Sequence, residues 1–192
     1  TGCKIQNIHK EKKVTLSTDN EEFPLFTCGK LILACGGKSA VKTGSDGSGH
    51  KLAESLGHSI IKPTPGIVQL KLNYPHLKAL AGIKFDGRAH LLINDNEVRN
   101  DLGEILFTDY GISGPPILQL SSAASKALLN KNKVEIVVDM MPHMSFEEVD
   151  NFIQGHLAVF SHRSIVNALT GVINKKLIPT LLKDICVTSI HT

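Results

Sequence analysis

A chain of 192 residues, 42% hydrophobic and 20% charged, carries enough apolar material for one large or two small packed domains. Its net charge of +3 is mild and its lysines are scattered; with no tryptophan, two tyrosines and no arginine-rich stripe, no nucleic-acid surface is expected. No apolar run approaches a membrane span and Thr1-Gly-Cys-Lys-Ile5 is not a signal peptide, so the expectation is a cytoplasmic protein without a membrane partner.

Along the chain, Cys3–Ile8 and Lys13–Thr18 alternate polar and apolar residues around a polar turn at His9–Lys12. A second turn, Asp19–Glu22, leads through Phe23-Pro-Leu-Phe26 to Leu31-Ile-Leu-Ala-Cys35. The first part reads as a small antiparallel meander. The last run lacks alternation, as expected of a strand buried on both faces. It ends at Gly36-Gly37 and enters a second glycine-rich loop, Lys42-Thr-Gly-Ser-Asp-Gly-Ser-Gly49. A short helix follows, with Asp46 or Ser48 as its cap and Gly57 at its end.

His58–Pro65 is extended and proline-locked, which marks a boundary. Beyond it come strand patterns at 67–72, 80–85, 89–93, 104–108 and 133–139, with Asp86-Gly87 as a hairpin turn. Ser113-Gly-Pro-Pro-Ile117 reads as a capped helix start with early proline, the helix running toward Leu128. Ser145-Phe-Glu-Glu148 is a capping-box pattern, and two further helices are expected at 163–174 and 176–185. The fold class expected is mixed α+β and α/β.

Generic motifs fail one by one. Gly36-Gly37-Lys38-Ser39 imitates the end of a P-loop, but the opening glycine would fall at Ile32. Gly44–Gly49 spells GxxGxG rather than the GxGxxG of a dinucleotide-binding turn. Gly111-Ile-Ser-Gly-Pro115 departs from a nucleophile elbow at its last residue, so Ser113 reads as a cap rather than a serine nucleophile. Cys3, Cys28, Cys35 and Cys186 have no CxxC spacing and read as reduced thiols, with Cys35 packed rather than reactive. Met140-Met-Pro-His-Met144 reads as a strand end turning at Pro142, and no metal site is expected.

Taken together, Leu33-Ala-Cys-Gly-Gly-Lys-Ser39, Lys42–Ala53, Leu56-Gly-His58 and Gly103–Pro115 resemble one bacterial family. This is the NAD(P)/FAD-dependent oxidoreductase family of the BaiN and aminoacetone-oxidase type. The resemblance covers most of residues 1–120 and is weaker beyond Ser121. It implies a two-dinucleotide-domain FAD fold interrupted by an inserted, barrel-like β-rich domain with C-terminal helices. On that basis 1–66 would be part of the FAD-binding domain and 67–192 the inserted domain. The chain would be a middle piece of a larger flavoprotein, inactive alone and partnered by the N- and C-terminal parts of its own FAD domain.

The resemblance further implies FAD as cofactor, NAD(P)H as a possible electron source and a small organic substrate. Ala34, Gly36 and Gly37 would let FAD approach the strand end. Thr43, Gly44, Asp46, Gly47 and Gly49 would line its flavin or ribityl side. Thr108, Tyr110 and Ser113 would lie near a substrate opening. Two departures stand out: Cys35 replaces a usual threonine, and Asp109 stands where histidine is more frequent. Rival readings are a non-catalytic interaction domain built on the β-rich region and, less favoured, a hydrolase using Ser113.

Overall fold

The computed structural model describes residues 2–185, so Cys186 falls outside the described residues. The chain divides into two compact units, Thr1–Pro63 and Thr64–Thr192.

In the first unit, β1 (Ile5–Lys10), β2 (Val14–Thr18) and β3 (Leu25–Cys28) form an antiparallel meander in that order. Ile8 and Val14 supply its buried apolar contacts. The Thr18 hydroxyl donates to the Phe23 carbonyl at 2.6 Å and accepts from the Asn20 N–H at 3.1 Å, which fixes the turn before β3. A 3-10 turn at Val41–Thr43 and helix α1 (Ser48–Ser55) follow the glycine loops. Gly57, at φ +87°, terminates α1 in the left-handed conformation that glycine adopts at least cost.

One expectation fails here. Leu31–Cys35 is extended but belongs to no strand, and Ile32 is 88% exposed. Among the described residues it pairs with no strand, so its backbone has no ladder. Cys35 is correspondingly exposed rather than packed.

The second unit is built on a five-stranded antiparallel sheet of order β4-β7-β6-β5-β8. Its strands are β4 (Leu70–Lys71), β5 (Lys84–Ile93), β6 (Asn96–Phe107), β7 (Gly111–Ser113) and β8 (Val134–Asp139). Helix α2 (Leu77–Leu80) precedes β5, and α3 (Pro115–Leu129) lies across the inner face of the sheet. There Ile117, Leu120 and Ala124 of α3 meet Ala89, Leu91, Ile105 and Ile112, all fully buried. At roughly 1.5–3 kcal/mol per buried large aliphatic side chain, this cluster dominates the unit's stability. The sheet curls into a half-barrel, with Leu72, next to edge strand β4, and Val138, in edge strand β8, lining one cavity. Helices α4 (Phe146–Val159), α5 (Ile165–Leu169) and α6 (Ile178–Asp184) complete the unit.

Asp86-Gly87 is not a turn. It lies inside β5, where a Cβ on Gly87 would stand 2.7 Å from the Asp139 carbonyl oxygen, so glycine serves the approach of β8. The hairpin turns instead at Asn94 and Asp95, both at positive φ (51° and 66°), as a type I′ connection demands. Ser113 does not cap α3: the cap position is Gly114, and Ser113 is a strand residue. The 163–174 helix shrinks to the five residues of α5, stopped before Gly171 at φ +101°.

Candidate functional site: a glycine-lined turn and a basic cleft

In the first unit the turn after Ala34 and the glycine loop lie against each other. The Gly47 N–H donates to the Gly37 carbonyl at 3.0 Å, and the Ser45 hydroxyl donates to the same oxygen at 3.2 Å. The Ser45 N–H closes on the Ala40 carbonyl at 3.2 Å. A Cβ on Gly49 would stand 2.9 Å from that of Cys35, and one on Gly36 would meet the Ser45 hydroxyl at 3.3 Å. Side chains at these positions would prise the two segments apart.

Ala34, Gly36, Gly37, Thr43 and Gly44 are exposed, whereas Asp46, Gly47 and Gly49 are half-buried. Thr43 folds its hydroxyl back onto the Ala40 carbonyl at 2.9 Å. The Asp46 carboxylate accepts the Ser48 N–H at 2.9 Å and lies 3.9 Å from the Lys4 ammonium. Hydrogen bonding by Ser48, from side chain and backbone, holds Asp46 below the ordinary carboxylate value, with Lys4 adding a smaller pull. Asp46 thus starts α1 from the residue preceding the Gly47 cap position. Ser48 caps nothing through its side chain.

Beside Asp46, Gly47 and Ser48 opens a cleft of about 740 Å³, also lined by Lys4, Lys38, Lys51, Lys62 and His50. Four lysines outweigh the two carboxylates there, Asp46 and Glu54, so its field favours an anion. The sequence reading passed over Lys38 and Lys51. Their signal was position: Lys38 directly follows Gly37, and Lys51 lies in the first turn of α1.

The FAD that the resemblance implies can be tested against these groups. At Gly37 and Gly44 an added Cβ would meet nothing within 4 Å, so backbone there is open to close approach. Exposed main chain at Ala34–Gly37 beside a lysine-lined cleft suits a flat ring system joined to phosphates.

In the second unit, Thr108 and Gly111 close a tight turn, with the Thr108 N–H donating to the Gly111 carbonyl at 2.9 Å. The Thr108 hydroxyl is buried without a partner among the described residues, and Tyr110 is 43% exposed beside it in sequence. Ser113 is 8% exposed and has no hydrogen bond to a histidine or carboxylate among the described residues, so it lacks the adjacent base a serine nucleophile needs. No group of three or more histidine, cysteine, aspartate or glutamate residues that could hold a metal occurs among the described residues. Nor, among them, is any helix long and apolar enough to cross a membrane.

An open antiparallel barrel followed by short helices, preceded by a glycine-lined loop unit, defines the class of chain. Residues 64–191 match the HI0933-like protein barrel and H2TH domain. The chain belongs to that family, the flavoproteins of BaiN and aminoacetone-oxidase type.

Over 185 residues it is 36% identical to the 3-dehydro-bile acid delta(4,6)-reductase of Clostridium scindens, covering 95% of this chain and 44% of that protein. It is 28% identical over 157 residues to the ribosomal RNA dihydrouridine synthase of Escherichia coli, covering 80% of this chain and 36% of that protein. The Haemophilus influenzae protein of the same name is 29% identical over 151 residues, with coverage of 77% and 34%. The chain therefore spans less than half the length of these curated relatives.

Proposed function

We propose that this chain is part of an FAD-dependent oxidoreductase that uses NAD(P)H to reduce an unsaturated small organic molecule in the cytoplasm. In this reading Thr1–Pro63 is a remnant of a two-dinucleotide-domain FAD fold, completed by chain outside these 192 residues, and the barrel unit is its insertion. The observation that carries it is the packing of Gly36-Gly37 on Ser45–Gly49 beside a lysine-lined cleft. The reductase name of the relative at 36% identity supports the reaction class, and the synthases' dihydrouridine is likewise a reduced base. The higher identity and longer coverage favour a small molecule over RNA as substrate.

Ala34, Gly36 and Gly37 present main chain to the flavin; Thr43, Gly44, Asp46, Gly47 and Gly49 form the second wall. Lys38 and Lys51 offset phosphate charge, and the start of α1 adds its partial positive charge. Within that wall the Asp46 carboxylate holds the Ser48 N–H and lies near the Lys4 ammonium. FAD, when bound, supplies the electron transfer; the protein supplies position, charge and exclusion of water. Thr108, Tyr110 and Ser113 would belong to the substrate side.

The test is a spectrum of the full-length protein. It should be yellow as purified and bleach when NADH or NADPH is added without oxygen. The 192-residue chain alone should retain no stoichiometric flavin. A colourless full-length protein that FAD does not reconstitute refutes the reading.

A further inference from the structure

All three methionines of the chain stand within five residues, at Met140, Met141 and Met144, with His143 among them. Methionine is a common filler of irregular core space, and Met140 serves that way, packed against the cluster of Leu80, Ile83 and Leu177. Met141 and Met144 do not. Neither joins a hydrophobic cluster among the described residues, and Met144 is 36% exposed. His143 between them is exposed as well. Two thioethers that add little to the core are available for other chemistry.

The local fold brings these groups together. β8 ends at Asp139, whose carboxylate accepts the Met141 N–H at 2.8 Å and sets the entry to a turn. The Met144 N–H then donates to the Met141 carbonyl at 3.0 Å. Residues 141–144 are therefore one β-turn, with Pro142 where its fixed φ is favoured and His143 following it. The α-carbons at the ends of such a turn lie within about 7 Å, inside the reach of two unbranched methionine side chains. Met141, His143 and Met144 line one cavity of about 510 Å³ within the Thr64–Thr192 unit, which Met140 also borders. Asp86 of β5 is the one carboxylate among the described residues of that lining, and no lysine or arginine joins it, so the local field favours a cation.

We propose that Met141, His143 and Met144 form a binding site for a soft monovalent cation of the copper(I) class, held by two thioether sulfurs and one imidazole nitrogen. Thioethers select soft ions such as copper(I), and imidazole suits copper too. Hard ions such as magnesium and calcium take carboxylate and carbonyl oxygens instead. Met140 stays in the core and takes no part. The sequence shows a strand end turning at Pro142, and that turn forms; the packing adds that Met140 joins the core while Met141 and Met144 do not. The site does not rest on the oxidoreductase reading.

The test is methionine-methyl NMR of the full-length protein, isotope-labelled at the methionine methyl groups and alkylated at its cysteines so that thiols do not compete. Met140→Leu, Met141→Leu and Met144→Leu, near volume-conserving changes, assign the three signals. Silver(I), which shares the charge and softness of copper(I) but resists air oxidation, is the probe. One equivalent should shift the Met141 and Met144 signals together and leave Met140 in place. His143→Gln and Met144→Leu should each weaken silver binding about tenfold or more, since even outer-shell partners of a metal are worth roughly 10–100-fold. Copper(I), added with ascorbate in the absence of oxygen, should shift the same two signals. Zinc(II), whose protein ligands are thiolate, imidazole and carboxylate, should shift neither at that concentration.

Met141 and Met144 signals that stay unmoved in excess silver(I), or that copper(I) fails to shift, overturn the proposal. So does a Met140→Leu variant that weakens binding as much as Met144→Leu, or a His143→Gln variant with unchanged affinity. Equal shifts at every methionine of the full-length protein overturn the site, and an equal response to zinc(II) overturns the soft-ion assignment. Should alkylation unfold the protein by circular dichroism, the unmodified protein is titrated beyond saturation of its thiols, where the methionine signals still report the site directly.

Discussion

Gly49 and Cys35 touch so closely that a methyl group on the first would overlap the side chain of the second, with 2.9 Å between their β-carbons. Gly49→Ala should push the first turn of α1 off the Gly36-Gly37 turn, at a cost of about 1–3 kcal/mol for overpacking. In the full-length protein, flavin retained per chain and the urea midpoint should fall together. Cys35→Gly in the same chain should restore much of both. Unchanged flavin content in Gly49→Ala would show that the two segments do not need this contact to hold the cofactor.

Ser121 is fully buried on α3, where its hydroxyl donates to the Leu118 carbonyl at 2.7 Å and accepts the Val68 N–H at 3.1 Å. Ser121→Ala leaves that N–H without its partner, an expected loss of about 1–3 kcal/mol. Hydrogen exchange at Val68 should accelerate more than exchange elsewhere in the barrel. Uniform acceleration would mean that the hydroxyl stabilises α3 rather than the segment leading to β4.

Burial first, and then the hydrogen bond and negative charge of Asp184, push the Tyr74 phenol from 10.0 up to about 12. The folded protein therefore keeps this proton at pH values where the unfolded chain has released it. The contribution to stability is complete below pH 10 and is lost as pH rises toward 12. A phenolate absorbance titration should show one tyrosine ionising late, and Tyr74→Phe should remove that late step.

The Ser145 hydroxyl accepts the Glu148 N–H at 3.3 Å while Glu148 accepts the Ser145 N–H at 2.7 Å, closing a capping box at the start of α4. Ser145→Ala should cost about 1 kcal/mol. Bonding to Ser145, through its backbone N–H first, holds the Glu148 carboxyl below its ordinary 4.5, so its stabilising share is present above that pH and fades as pH falls through the folded value. Glu148→Gln can keep both hydrogen bonds. Its acid unfolding curve should be flatter than the parent's below pH 4.5, on the order of one proton's linkage.

Elements whose stability is local were legible in the sequence. The meander, the proline-initiated α3 and the Ser145 box each carry their signal within a few residues, and each forms. Elements defined by distant neighbours were not. Leu31–Cys35 has the composition of a central strand, but a strand exists only where partners complete its ladder. The first two thirds of β6, Asn96–Gly103, is polar and mostly exposed, and it is held by the register with β5 rather than by its own propensity. Asp86-Gly87 has the chemistry of a turn, yet Gly87 answers to the carbonyl of Asp139, a residue far along the chain. The glycines of the candidate site were visible as punctuation, while the lysines around them gained meaning only once Lys4, Lys38 and Lys51 bordered the same cleft.

The two positive-φ residues at Asn94 and Asp95 join the longest strands of the barrel through a two-residue loop. A hairpin of this kind closes in about 1–10 μs. β8 and α3 must search over far longer stretches of chain before they meet it. The β5–β6 ribbon is thus the natural nucleus of this unit, a template on which the remaining strands settle in turn.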